Sequence, residues 1–143
     1  MAIAAAPAPF AVQRLDHVVL RVRDLDRAEA FYRLVLGCEV ARRRDDLGLR
    51  HLRAGASMID IIAVDGKLGR RGGAAAGEDA RNLDHLCLRI EPFDETALVA
   101  HLAAHGLAPH APASSNFGAE GEGPSLYFDD PDGNTIELKG SSA

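Results

Sequence analysis

From Leu15 to Val22 the residues are largely apolar or β-branched and fall into a period of two. Val18, Leu20 and Val22 fall on one side and His17, Val19 and Arg21 on the other, which predicts a strand with one buried face. In the next stretch, "DLDRAEAFYRLVLG", the period lengthens. Asp24 or Asp26 is a candidate N-cap, Ala30, Phe31, Leu34 and Val35 recur at helical spacing, and Gly37 supplies a stop, so one amphipathic helix is predicted. Strand-like runs follow at about 38–44, 48–53 and 57–64, separated by the turn-forming "DDLG" and "RAGAS". Periodicity then disappears over 65–81, where Gly and Ala dominate as in a flexible connection. Beyond it the pattern restarts with a strand at 83–90, a helix at about 94–105 ending at Gly106, and strands near 107–110, 125–129 and 134–138. "DDPDGN" forms the last turn.

The restart is a repeat. "RLDHVVLRV" (14–22) returns 68 positions later as "NLDHLCLRI" (82–90), with Leu15, Asp16, His17, Leu20 and Arg21 recurring as Leu83, Asp84, His85, Leu88 and Arg89. The order β-α-β-β-β therefore occurs twice, in an α+β chain. A unit repeated in this way generally cannot bury its sheet face alone and needs its counterpart, in the same chain or across a dimer. The expected organisation is a tail over 1–13, then one domain over 14–140 made of module one (14–64), a linker (65–81) and module two (82–140).

Composition narrows the possible partners. A chain of 143 residues with 47% hydrophobic content has room for one core, and a formal charge of -5 offers no basic footprint for nucleic acid or anionic membranes. The first 13 residues, "MAIAAAPAPFAVQ", lack the charged and long apolar regions of a secretory signal and are read as a loose tail. Cys38 and Cys87 fall within predicted elements, far apart in sequence, which fits reduced thiols and a cytoplasmic location.

The duplication makes His17 and His85 equivalent positions on equivalent strands. The last strand of each half carries one acid among apolar neighbours, Asp60 in "SMIDII" and Glu137 in "NTIELK". A carboxylate is costly to bury unless it is paired or bound to a cation, and imidazole with carboxylate suits a divalent metal such as Zn, Ni, Co, Mn or Fe. His17, His85, Glu137 and Asp60 are the candidate ligand set, with Asp60 open between ligand, base and structural acid because its side chain is shorter. Strand alternation turns Asp16 and Asp84 away from that face. His101 and His105, four apart on the second helix, lack a third helical ligand or an intervening Glu and read as an ordinary helix face. His51 is open between a pocket residue and a surface one, and "RRRDD" (42–46) reads as a solvated turn with local ion pairs.

Together, "LDHVVLRVRDLDRAEAFYRLVLG", "LDHLCLRI" and "LYFDDPDGNTIEL" resemble the vicinal oxygen chelate superfamily, which includes glyoxalase I, bleomycin-resistance proteins and extradiol dioxygenases; the resemblance spans about 14–139. It implies two βαβββ modules with mixed sheets forming a cupped, barrel-like metal site. One divalent metal ion would be held by His17, His85 and Glu137, with Asp60 standing where glyoxalase I has a glutamate. Tyr127 matches a substrate-facing tyrosine of the fosfomycin-modifying relatives, although Val19 replaces a hydroxyl residue found there, and His51 joins Tyr127 as a candidate substrate-binding residue. The implied activity is that of a glyoxalase-like lyase or isomerase, working through a metal-bound enediolate or oxyanion with Glu137 or Asp60 as base. The alternatives are an Fe(II) extradiol-type dioxygenase and a non-catalytic drug- or metabolite-binding protein. A small-molecule substrate and a homodimer are the expected partners. Residues 114–125, "SSNFGAEGEGPS", are either a flap over the pocket or a plain surface loop.

Overall fold

A computed structural model describes residues 8–142. Of the expected tail, residues 1–7 lie outside the described residues, and 8–13 are exposed and form neither helix nor strand. The first module runs β1 (His17–Val22), α1 (Leu25–Leu34), β2 (Glu39–Arg44), β3 (Leu49–Ala54) and β4 (Ser57–Ala63). The second runs β5 (Leu86–Arg89), α2 (Glu95–Ala104), β6 (Ser114–Gly118), β7 (Gly121–Asp129) and β8 (Thr135–Lys139). Each module folds into a four-stranded mixed sheet, ordered β1-β4-β3-β2 and β5-β8-β7-β6. The first and last strands of each module pair in parallel and the other pairs are antiparallel. The chain is thus α+β with the βαβββ unit present twice, and β1 and β5 each form a sheet edge.

Register makes the repeat three-dimensional. In module one Asp60 is paired with Val19 on one side and His51 on the other; in module two Glu137 is paired with Cys87 and Tyr127. Because side chains alternate along a strand, each such row lies on one face, opposite the apolar residues. Leu20, Val22, Leu52, Ile59 and Ile61 are buried on the reverse of the first sheet, and Leu126, Phe128, Ile136 and Leu138 on the reverse of the second.

Helix α1 covers the apolar face of the first sheet. Asp24 is its N-cap, accepting from Arg27 N at 3.0 Å. Its buried stripe is Ala28, Phe31 and Tyr32, whereas Leu34, expected in the core, is 60% exposed: the stripe begins one turn earlier than the apolar spacing indicated. The same helix joins the modules. Phe31 packs against Phe128 with ring centroids 6.2 Å apart, and the buried Tyr32 hydroxyl donates to Asp130 Oδ2 at 2.6 Å. Asp130 also organises the turn before β8, its Oδ1 accepting from the backbone N–H groups of Asp132 (2.9 Å) and Asn134 (2.7 Å).

The run 42–46 does more than make a local turn. Arg43 reaches back to Glu29 on α1 through two hydrogen bonds of 3.1 and 2.6 Å, and Arg50 bonds the same carboxylate at 3.0 Å. Glu29 is buried at 6% exposure, and these guanidinium partners, Arg43 foremost, hold its carboxyl below the usual range despite desolvation.

Three further expectations change. No strand forms at 107–110, because Pro109 has no N–H to offer a ladder and the segment makes one backbone bond to β7, from His110 N to Tyr127 O at 2.8 Å. Residues 114–125, read as a flap or loop, instead supply β6 and the start of β7, a hairpin in which Ser114 pairs with Ser125 and Gly118 with Gly121. Glycine is required there, since a Cβ on Gly123 would sit 2.3 Å from Gly140 O. The connection 65–81 contains two 3-10 turns, Gly69–Gly72 and Glu78–Ala80. Arg21 gathers the first, donating to the carbonyls of Gly69, Gly72, Gly73 and Ala74.

Candidate functional site

Both histidines are oriented by the aspartate that precedes them. His17 Nδ1 donates to Asp16 Oδ1 and His85 Nδ1 to Asp84 Oδ2, each at 2.7 Å. With Nδ1 committed to a carboxylate, Nε2 is the nitrogen left to accept a cation or proton, and the ring is fixed in direction. The carboxylate of Asp16 raises the pKa of His17, with Asp60 adding to the effect, and His17 in turn lowers that of Asp16. Strand alternation turns Asp16 and Asp84 away from the open face, yet as orienting partners of the two histidines they belong to the candidate site. Their signal was in the repeat itself, which preserves Asp together with His.

On the first sheet, Asp60 is buried at 5% exposure and His51 Nδ1 lies 3.0 Å from its Oδ1. That contact is not aligned as a hydrogen bond, so Oδ1 is a buried oxygen with no hydrogen-bond partner among the described residues. On the second sheet, Glu137, also 5% exposed, accepts a hydrogen bond from the Tyr127 hydroxyl. The His85 ring stands edge-on to Tyr127, centroids 5.5 Å apart at 86°. Hydrogen bonding to Glu137 raises the Tyr127 pKa. Desolvation, followed by the Glu137 carboxylate, pushes the Cys87 thiol up to about 12. His85, Cys87, Tyr127 and Glu137 line one end of a cleft of about 500 Å³ over the second sheet.

The structure therefore brings the predicted residues together as two half-sites. His17, His51 and Asp60 share the open face of the first sheet; His85, Tyr127 and Glu137 share that of the second. Strands of the two sheets do not pair with one another, and among the described residues no three His, Cys, Asp or Glu side chains converge closely enough to hold a metal ion. The donor chemistry nevertheless fits a divalent cation: two imidazoles held through Nδ1, a buried glutamate, and a buried aspartate oxygen with no hydrogen bond among the described residues. His101 and His105 meet edge to face with ring centroids 5.0 Å apart, and His101 Nε2 donates to Val35 O at 2.8 Å, tying α2 to the end of α1. Among the described residues no helix is long and apolar enough to cross a membrane.

Comparison with known proteins agrees with this fold. An integron cassette protein from the mobile metagenome of V. cholerae superposes with a TM-score of 0.73 at 26% identity, covering 93% of this chain and 98% of that one. A virulence protein from Salmonella typhimurium gives 0.74 at 26%, covering 92% and 98%. Lactoylglutathione lyase from Agrobacterium tumefaciens gives 0.64 at 21%, covering 94% and 96%, a likeness of fold. The family model for the glyoxalase/bleomycin resistance protein/dioxygenase superfamily matches residues 14–138. Members of that family bind small molecules, commonly use a divalent metal and often form dimers. By its duplicated modules, its paired histidines and acids and this match over nearly its whole length, the chain belongs to the glyoxalase/bleomycin resistance protein/dioxygenase superfamily.

Proposed function

We propose that the chain is a metal-dependent lyase or isomerase of the glyoxalase type, acting on a small molecule with two neighbouring oxygens. The observation that carries this reading is the matched placement of His17 with Asp60 and His85 with Glu137, each histidine oriented through Nδ1 by its own aspartate. His17, His85 and Glu137 are the ligands of one divalent cation. When bound, the cation supplies Lewis-acid stabilisation of negative charge on a substrate oxygen.

The rest of the chemistry belongs to the chain's own side chains. Asp60, whose Oδ1 lacks a hydrogen-bond partner, is the group that takes and returns the substrate proton, with His51 beside it limiting where the carboxylate points. The Tyr127 hydroxyl, bonded to Glu137, orients that carboxylate and faces the substrate. Cys38 and Cys87 are both free, which favours a reducing compartment such as the cytoplasm.

A second copy completes the site in this proposal. The half-sites lie on separate sheets, and the edge strands β1 and β5 carry His17 and adjoin His85. Unpaired edges are natural surfaces for association. The decisive experiment measures bound metal after reconstitution of wild type, His17→Ala and Glu137→Ala, then assays turnover of thiol adducts of α-keto aldehydes alongside oxygen consumption. Metal in wild type alone, with turnover and no oxygen uptake, supports the lyase. Equally little metal in all three sinks it, and oxygen uptake moves the chain to the dioxygenases. A mixed dimer of His17→Ala and His85→Ala subunits should regain one metal per dimer if ligands come from both chains, and none if each site is internal.

A further inference from the structure

The cleft over the second sheet has another end, lined by Arg89 and Lys139 together with Glu120, the carboxylate that pairs with Arg89. Two residues beyond the row formed by Cys87, Glu137 and Tyr127, Arg89 and Lys139 are direct cross-strand partners, and both line the same cleft of about 500 Å³. Like charges placed directly opposite each other on neighbouring strands repel, so such a pair needs a reason. Lys139 is buried at 6% exposure, and its ammonium donates to Gly121 O at 3.0 Å and Gly140 O at 3.4 Å, leaving one of three protons without a partner among the described residues. The Arg89 guanidinium donates through Nε to the exposed Glu120 at 2.7 Å and through Nη1 to Ile90 O, leaving Nη2 without one. Module one has nothing comparable. At the equivalent positions Arg21 spends its guanidinium on linker carbonyls, and its partner is Ile62.

Resting on the function proposed above, and naming its substrate class, we infer that Arg89 and Lys139 form a subsite for an anionic group of the substrate, a carboxylate, phosphonate or phosphate. Two residues of strand span about 7 Å, which sets the separation between this anion and the row that holds Glu137. The substrate is therefore a small acid whose charged end lies one strand repeat from its reacting oxygens. A guanidinium and an ammonium with free donors in a partly enclosed cleft make charge-assisted hydrogen bonds to such a group, and an anion between them removes their mutual repulsion.

The test uses the full chain and defined probes, by isothermal titration. On metal-free protein, methylphosphonate should bind to wild type and at least about tenfold more weakly to Arg89→Gln, the loss expected for hydrogen bonds to a charged group. Arg89 is exposed and its salt bridge is to an exposed Glu120, so this variant should keep the fold, whereas Lys139→Met also releases the Gly121 carbonyl; a circular-dichroism melt of both accompanies the titration. On metal-loaded protein, 3-phosphonopropionate and glutarate should each bind at least about tenfold tighter than propionate, with the margin mostly erased in Arg89→Gln, and their ratio tells phosphonate from carboxylate preference. Equal binding of methylphosphonate to wild type and a folded Arg89→Gln, or no binding to either, overturns the subsite. Absence of metal uptake with Arg89-dependent methylphosphonate binding would instead overturn the metal-dependent function and leave the subsite standing.

Discussion

The open faces of the two sheets carry the same positions with different occupants. In module one the row across the sheet is Val19, Asp60, His51; in module two it is Cys87, Glu137, Tyr127. Each row has a buried carboxylate at its centre and follows a histidine held by an aspartate at 2.7 Å, yet the carboxylates are in opposite states. Glu137 is hydrogen-bonded by a phenol, whereas Asp60 Oδ1 has His51 Nδ1 beside it at 3.0 Å but no aligned hydrogen bond among the described residues. Duplication supplied two copies of one arrangement, and divergence left one acid anchored and the other available. That asymmetry is what a ligand and a base require of two otherwise similar groups, since a ligand must be fixed and a base must be free to accept a proton.

The largest expected effect separates the two acids. Glu137→Gln should lower metal affinity by about 100-fold or more, and Asp60→Asn by no more than a few-fold while abolishing turnover, read by competition with a fluorescent chelator. Equal losses in both variants would erase the distinction and make Asp60 a fourth ligand.

Next in size is the way α1 is anchored, a feature confined to module one. Glu29→Gln removes the carboxylate that joins Arg43 and Arg50, and should cost about 2 kcal/mol in urea unfolding, allowing for the half-exposed Arg43. Because the folded-state pKa of Glu29 is lowered, its stabilisation is present above the ordinary carboxyl value near about 4.3 and is lost as pH falls through the folded value. Below about pH 4 the difference between wild type and variant should therefore shrink. Tyr32→Phe, which removes one buried hydrogen bond between the modules, should cost about 1 kcal/mol, since Asp130 Oδ2 still accepts from Asn134 Nδ2.

Smaller still are changes at equivalent positions that the two modules use differently. Arg21→Gln should leave the core intact and speed hydrogen exchange over 69–74, where its guanidinium now holds the backbone. Cys87→Val, which gives module two the residue found in module one, should change stability by no more than about 0.5 kcal/mol and leave metal content unaltered. A large loss of metal would bring the thiol into the site.

Much of this was legible in the chain. The alternation at 15–22, the helix capped by Asp24 and the repeat at 83–90 gave both modules, because a half-buried sheet and an amphipathic helix imprint their periods on the sequence. The strand at 125–129 is visible in its apolar residues, whereas the hairpin segment at 114–124 is not, because most of its positions are polar or glycine and pairing rather than burial defines it. The core stripe of α1 was displaced for a related reason: Tyr32 is buried through a hydroxyl that finds Asp130, 98 positions away, and no local pattern reports such a partner. For the site, the residue types and their twofold recurrence were readable, while the roles of Asp16 and Asp84 were not, since alternation fixes where a side chain starts and not where its oxygens finish.

The sequence by itself determined the duplicated unit and marked His17, Asp60, His85 and Glu137 as its four candidate positions, because periodicity and repetition are properties of the order of residues. Only the tertiary structure decided that Asp60 keeps an unsatisfied oxygen, that Glu137 is bonded by Tyr127, and that Arg89 stands opposite Lys139. Those facts depend on strand register and on side chains distant in sequence competing for the same hydrogen bonds, and such competition is settled only when the sheets have formed.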